Sequence, residues 1–297
     1  MPTESSRYDI SVVIPTYNRS RLLSYSLASL CQQNIGKDRF EVLICDDGST
    51  DNSRAIAKKY ERWLNVKYLY QEDKGYRPGS ARNMGIRAAE GHSCLFMDSG
   101  VLLNVNCLEE HVNFYNAKGS GTAVVGYVYG FDRTQESVKM MKRLVKPEDI
   151  ASTIYILSQQ EVFHDVREEH YAIYTNGIHD LPAPWYYYWT CHVSAIRSEL
   201  IEAGMFDDKF DGRWGIEDNE IAFRLNQNGV KIYLLRSAEA IHYPHEKDKE
   251  GRRVEAYTNC VYFNDKFKTK ETRIFLEHYM NDREFVDVNR ICMETPV

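Results

Sequence analysis

The chain has 297 residues, 43% hydrophobic and 27% charged, which is ordinary for a soluble globular protein with a sizeable core. Its net charge of −6 excludes the broad basic face that a nucleic-acid footprint requires. No run approaches the roughly 18 apolar residues of a membrane span, the N-terminus lacks an apolar signal stretch, and seven scattered cysteines form no C-x-x-C pair, so a cytoplasmic protein with reduced thiols is expected.

Ile10 to Ile14 is a β-branched run stopped by Pro15 and reads as a first strand. Leu22, Leu23, Leu27 and Leu30 recur at helical spacing and predict a helix over 20–33. Glu41 to Cys45 is a second strand, ended by the turn Asp46-Asp47-Gly48-Ser49. Ser49 or Thr50 is expected to cap a helix reaching about Tyr60. Val66 to Tyr70, Ser80 to Ala89 and Ser93 to Met97 continue the series as strand, helix and strand, stopping at Asp98. This alternation predicts an α/β fold with a mostly parallel central sheet flanked by helices. Such sheets gather ligands at the carboxyl ends of their strands.

Beyond Asp98 the pattern loosens. Leu108 to Tyr115 reads as a helix, Ala123 to Tyr129 as a strand, and 134–185 as irregular or helical. Pro182 and Pro184 introduce the aromatic run Trp185 to Trp189, followed by a strand through Ile196. Asp218 to Asn228 is a helix closed by Gly229, and Val230 to Leu235 a strand. The tail from His245 is polar, Glu246 to Arg253 reading as solvated surface, and offers no second core. One domain over 1–297 is therefore expected.

Each of these strand ends carries a polar group. Tyr17 can stack on a base, Asp47 can accept from a base N–H, and Asp46 can support its turn. Arg82 follows Pro78-Gly79-Ser80 at a helix start, where backbone N–H groups and a cation suit phosphate. Asp98 suits a ribose hydroxyl or a metal. Each has a plainer reading: Asp-Asp-Gly-Ser alone is a tight turn with a helix cap, and Pro15 alone ends a strand. Farther on, Arg213-Trp214-Gly215-Ile216-Glu217-Asp218-Asn219-Glu220 sets two adjacent carboxylates behind a Trp-Gly turn, offering a base and an aromatic platform. The run 185–189 is either a sugar platform or core packing. Together these features point to group transfer from a nucleotide-linked donor.

The order Val13-Ile14-Pro15-Thr16-Tyr17-Asn18-Arg19, Cys45-Asp46-Asp47-Gly48-Ser49-Thr50-Asp51, Ala81-Arg82-Asn83-Met84-Gly85 and Trp-Gly-x-Glu-Asp resembles that of family 2 glycosyltransferases. Over about residues 10–110 and 185–245 the chain is similar to a catalytic module of bacterial chondroitin polymerases. Its Trp214 to Glu220 segment also resembles the acceptor side of β-1,4-galactosyltransferases. The resemblance implies a GT-A fold, with a nucleotide-sugar-binding half (1–100), an acceptor and catalytic half (101–245) and a C-terminal extension (246–297).

It implies inverting transfer from a nucleoside-diphosphate sugar, most naturally a UDP-sugar, to a carbohydrate or other hydroxyl acceptor. Pro15, Thr16, Tyr17, Arg19, Asp46, Asp47, Gly48, Arg82, Asp98 and Ser99 would hold the donor. Trp214, Gly215 and Trp189 would face the acceptor. Displacement needs a base for the acceptor hydroxyl, for which Asp218 is chosen, with Glu217 binding an acceptor hydroxyl or the donor sugar. Asp98 and His242 would bind Mn²⁺ or Mg²⁺, with His245 a lesser candidate. The chain departs from the family's Asp-x-Asp, having Asp98-Ser99-Gly100, so the second carboxylate is missing. Two rivals remain at this level: a non-catalytic sugar-nucleotide-binding or scaffolding protein, and a nucleotidyltransferase, which would release pyrophosphate.

Overall fold

Runs of Val, Ile and Leu with no polar alternation cannot lie on a solvated sheet face; they need cover on both sides. In the computed structural model, which describes residues 6–130, 134–245, 249–279 and 285–295, those runs form the centre of the molecule. The first half contains β1 (Tyr8–Thr16), α1 (Ser20–Cys31), β2 (Phe40–Asp46), α2 (Ser53–Tyr60), β3 (Val66–Tyr70), α3 (Pro78–Ala88) and β4 (Gly91–Met97). There follow β5 (Val101–Leu103), α4 (Cys107–Lys118), β6 (Thr122–Tyr129), α5 (Gln135–Leu144), α6 (Ile150–Ser158) and α7 (Glu168–Ile173). The chain closes with β7 (His192–Ile196), α8 (Arg197–Glu202), α9 (Glu217–Gln227), β8 (Lys231–His242), α10 (Lys249–Phe267), α11 (Lys270–Tyr279) and α12 (Val288–Glu294).

The eight strands form one sheet in the order β3-β2-β1-β4-β7-β6-β8-β5. The β3-β2-β1-β4 part is parallel, β7 runs antiparallel to both neighbours, and β6 and β8 are parallel. The expected α/β, mostly parallel architecture is therefore observed. Gly85 shows how tightly α3 lies on the sheet: a Cβ there would come within 2.5 Å of Val13 and 2.9 Å of Cys45. Among the described residues, no helix is long and apolar enough to cross a membrane.

Several expectations are corrected. The first strand extends through Thr16, and a short strand, β5, follows Asp98-Ser99-Gly100 and pairs antiparallel with β8. Asn52, not Ser49 or Thr50, precedes α2. The aromatic run is a 3-10 turn over Pro184–Tyr187, and β7 starts only at His192. Trp185 to Tyr188 are buried and serve as core packing, while the half-buried Trp189 borders a cavity; Trp185 meets Phe223, Phe263 and Phe275 edge to face. The polar tail is helical, and its Ala256, Cys260, Phe263, Ile274, Phe275, Val288 and Cys292 are buried in the same apolar cluster as Trp185 and Phe223. The reading of Glu246 to Arg253 as surface falls partly on 246–248, outside the described residues.

Candidate active site

The carboxyl ends of β1, β2 and β4 open onto one side of the sheet, and the loops there are stitched together before any ligand arrives. Asn18, in the left-handed conformation at φ 51°, accepts N–H bonds from Thr50 (2.8 Å) and Asp51 (3.2 Å) through its side chain. Its own backbone N–H donates to Ser49 Oγ (2.8 Å). Asn and Asp tolerate that conformation better than other non-Gly residues, so this Asn fixes the β1 loop against the β2 loop. Asp46 is fully buried and accepts from Ser49 N–H and the Tyr68 hydroxyl, while Gly48 turns at φ 94°. Asp47 accepts from Gln71 Nε2 (2.6 Å), Arg77 N–H (2.9 Å) and the Arg77 guanidinium (2.9 Å). Burial pushes its carboxyl upward, against those bonds. Tyr17 is half exposed and its hydroxyl donates to Asp73 (2.8 Å).

Two adjoining cavities occupy this side. One, of about 360 Å³, is bordered by Pro15, Thr16, Tyr17, Arg19, Asp47 and Ser99. The other, of about 540 Å³, is bordered by Trp189, Trp214, Gly215, Glu217, Asp218 and His242. They share Tyr76, Arg82, Asp98, Trp214, His245 and Arg252. The sequence-selected residues are thus gathered around one two-chambered cleft, except Asp46 and Gly48, which border neither chamber and shape the turn beneath it.

At the junction lies Arg82, buried on the first turns of α3. Its two terminal nitrogens donate to Asp98 (3.1 Å) at the end of β4 and to Glu217 (3.0 Å) at the start of α9. Glu217 is itself buried, and its second oxygen has no hydrogen-bond partner among the described residues. The Asp98 side chain is 42% exposed, so a carboxylate oxygen can meet a ligand in the cleft. The guanidinium thus aligns two carboxylates from opposite walls.

Asp218 receives Asn219 N–H (2.8 Å) and Thr190 N–H (3.3 Å). Burial, reinforced by the Glu217 carboxylate and opposed by Arg82, pushes its carboxyl up to about 7. The backbone that presents this pair is strained: Gly215 has φ 91° and Ile216 φ 76°. A β-branched residue with positive φ is a genuine outlier, and such strain concentrates at functional sites. Neighbours hold it in place. Asn259 of α10 donates to Gly215 C=O (2.8 Å), Glu255 accepts Trp214 N–H (2.9 Å), and Asn219 donates to Trp185 C=O (3.0 Å).

Arg19 and Arg252 are among the cations that line the cleft. Arg19, at the head of α1, is lowered by burial and by the nearby Arg252 guanidinium. Arg252 lies 5.5 Å from the Trp214 ring centroid. Arg252 was hidden from sequence reasoning in a tail that read as solvated surface. The apolar stripe Ala256, Cys260, Phe263 and Phe267, at helical spacing, was the signal that this tail docks. Tyr76 was also missed; it stands in the loop just before the Ala81-Arg82 helix. Gly100 has φ 103°, and its amide donates to Ser26 Oγ (2.9 Å) while its carbonyl accepts Tyr243 N–H (2.9 Å). The backbone there is tied on both sides, in a conformation suited to glycine.

The model of the family "Glycosyl transferase family 2" matches residues 11–180. Validoxylamine A glucosyltransferase of Streptomyces hygroscopicus subsp. jinggangensis is 33% identical over 278 residues, 93% of this chain and 64% of that protein. Chondroitin synthase of Escherichia coli is 32% identical over 252 residues, 82% of this chain and 36% of its own. The chain therefore spans less than two thirds of these relatives. Among solved structures, Staphylococcus aureus TarS in complex with UDP-GlcNAc superposes with a TM-score of 0.61 at 19% identity, covering 95% of this chain and 68% of that one. That likeness concerns the fold, which is of the GT-A type expected.

Proposed function

The chain belongs to glycosyl transferase family 2, and on that premise we propose that it moves a sugar from a UDP-sugar to an acceptor hydroxyl with inversion. The observation that carries this reading is the two-chambered cleft in which Arg82, at the junction, aligns the buried Glu217 with the partly exposed Asp98, beside Asp218 of the larger chamber. Most of the donor chamber's lining comes from residues 1–100, the acceptor wall and the base from 101–245, and described residues of the C-terminal extension, from Arg252 to Val288, border the acceptor side. Tyr17 and Asp47 lie at the base end of the donor chamber. Arg19 and Arg252 suit the diphosphate, as guanidinium forks do.

In the displacement, Asp218 takes the proton of the acceptor hydroxyl as its oxygen bonds to the anomeric carbon, and the nucleoside diphosphate leaves from the opposite face. A carboxyl held near neutrality ionises at working pH and is still basic enough to accept that proton. Glu217, one oxygen fixed by Arg82, has the other available for a sugar hydroxyl. Trp214 and Trp189 border the larger chamber on the proposed acceptor side. Asp98 and His242 border one chamber from the ends of β4 and β8, a carboxylate and an imidazole that fit Mn²⁺ or Mg²⁺ when phosphates complete the shell. Bound there, a divalent cation supplies charge neutralisation to the departing diphosphate.

The test is turnover of UDP-, GDP- and dTDP-sugars against a panel of hydroxyl acceptors, reading nucleotide release and the anomeric configuration of the product by NMR. UDP release with inverted product is expected. Binding without turnover on every donor, release of pyrophosphate, or retained configuration would each defeat a stated part of the reading.

A further inference from the structure

Away from the cleft, beneath α4, three metal-ligating side chains converge in a fully enclosed position. Cys107 and His111 stand four residues apart on α4 and so share one helix face. His192 opens β7 opposite them. His192 Nε2 lies 3.2 Å from Cys107 Sγ and 3.2 Å from His111 Nε2, and all three side chains are buried. One donor atom from each lies within 4.8 Å of the others.

From this geometry we infer that Cys107, His111 and His192 form a site for a thiophilic d¹⁰ cation, Zn²⁺ or Cu⁺, separate from the catalytic cleft. Without a cation, the single Nε2 position of His192 must serve two neighbours at once, sharing one proton or one lone pair between them. A cation engages all three atoms together. Zinc with Zn–S near 2.3 Å and Zn–N near 2.0–2.1 Å sets tetrahedral ligand atoms roughly 3.3–3.6 Å apart, close to the two 3.2 Å contacts that His192 makes here.

The surroundings are those of a ligand set. His111 Nδ1 is 2.9 Å from Ser194 Oγ, which in turn lies 2.7 Å from the Tyr115 hydroxyl. An imidazole that donates its far N–H to such a partner is fixed with Nε2 bare, as ligating histidines are. Gly126 clears the space for His192: a Cβ there would fall 2.2 Å from its ring. Burial lowers both histidines, His111 to about 3, so they are neutral and competent to ligate. Burial holds the Cys107 thiol protonated, so loading replaces the S–H proton with a metal–sulfur bond and releases that proton to solvent. With one thiolate, Cu⁺ leaves the cluster neutral, whereas Zn²⁺ brings one further positive charge and calls for a fourth, anionic ligand such as hydroxide. Either cation would staple α4 to β7 two residues beyond Thr190, whose N–H holds Asp218.

The full-length protein, expressed in zinc- or copper-supplemented medium and passed through gel filtration, should retain stoichiometric metal by mass spectrometry. Which of the two is retained identifies the cation. Loading with Co²⁺ in place of zinc, or with Cu⁺, should give a near-ultraviolet thiolate-to-metal charge-transfer band, which the thiol-free Asp98–His242 pair cannot produce. Cys107→Ser should lose the band and the retained metal. His111→Gln, which keeps the thiol, should weaken retention at least tenfold. Wild-type protein that retains neither metal and gives no band overturns the site, as does a band that persists in Cys107→Ser.

Discussion

A carboxylate next to a second carboxylate in a half-closed cleft resists ionisation, and Asp218 is in that position. Because its folded-state pKa is raised to about 7, the protonated form dominates below that pH, and in the proposed mechanism the acceptor proton then has no base. Transfer should therefore rise with pH along a single-proton limb centred near 7, flattening above it. The same shift means the folded state holds a proton more tightly than the unfolded chain. The contribution of Asp218 to stability thus declines as pH rises from about 4 to about 7. Asp218→Asn should lower kcat by roughly 10²–10⁴ and abolish that limb, while UDP affinity by calorimetry stays near wild type. A mutant with ordinary turnover would remove Asp218 from the chemistry.

Arg82 gives the complementary case, since cutting one partner from a buried pair leaves a charge without compensation. Arg82→Met should destabilise by about 3–5 kcal/mol by urea titration, and adding Glu217→Gln should recover part of that loss. If the double mutant is no more stable than the single, the two groups are not coupled.

Elements carry their own lesson. The β1-to-β4 series was legible because β1, β2 and β4 carry apolar runs marked near their ends by Pro15, Asp46 and Asp98, and because α1 repeats its leucines at helical spacing. The cleft was legible as far as strand ends and the Trp-Gly turn could mark it. What escaped were contacts made across long sequence separations. The aromatic run reads identically as platform or core until α10 and α11 are known to cover it, and Arg252 gains meaning only once Asn259 and Glu255 fasten α10 to the Trp214 loop. Truncation after His245 should accordingly expose Trp185 and Phe223, two members of the main apolar cluster. We expect a poorly soluble product that binds a hydrophobic dye and has lost UDP binding. A truncated chain with a cooperative thermal transition at the wild-type temperature would show that α10 to α12 are dispensable. Gly100 is an element-level constraint as well. Gly100→Asp would restore the second carboxylate of the family's Asp-x-Asp, but φ there is 103°, a conformation suited to glycine. The substitution should cost about 1–3 kcal/mol in strain, read as a lower denaturation midpoint, whatever it adds to the metal.

At the scale of the whole molecule, the two chambers, proposed to hold donor and acceptor, meet at Asp98 and Arg82, so events in one are felt in the other through a few shared groups. Tyr17 and Asp47 border the smaller chamber and not the larger one that Glu217 and Asp218 line, and they are proposed to hold the base of the donor. Contacts there act on bound donor and transition state alike, so Tyr17→Ala should raise KM with little change in kcat. Asp98 differs because it stands at the junction. With a single carboxylate there, affinity for Mn²⁺ alone should be weak, and the diphosphate should complete the coordination. Metal and UDP should then bind with positive and reciprocal coupling, each tightening the other by the same factor. Calorimetry of Mn²⁺ with and without UDP measures that factor directly. Asp98→Ala should reduce it to unity, and His242→Ala should lower it. Equal turnover in EDTA and in Mn²⁺ would refute the coupling and leave Arg19 and Arg252 to neutralise the leaving group. In that event the double mutant of those two arginines, rather than Asp98→Ala, should be the one that loses kcat.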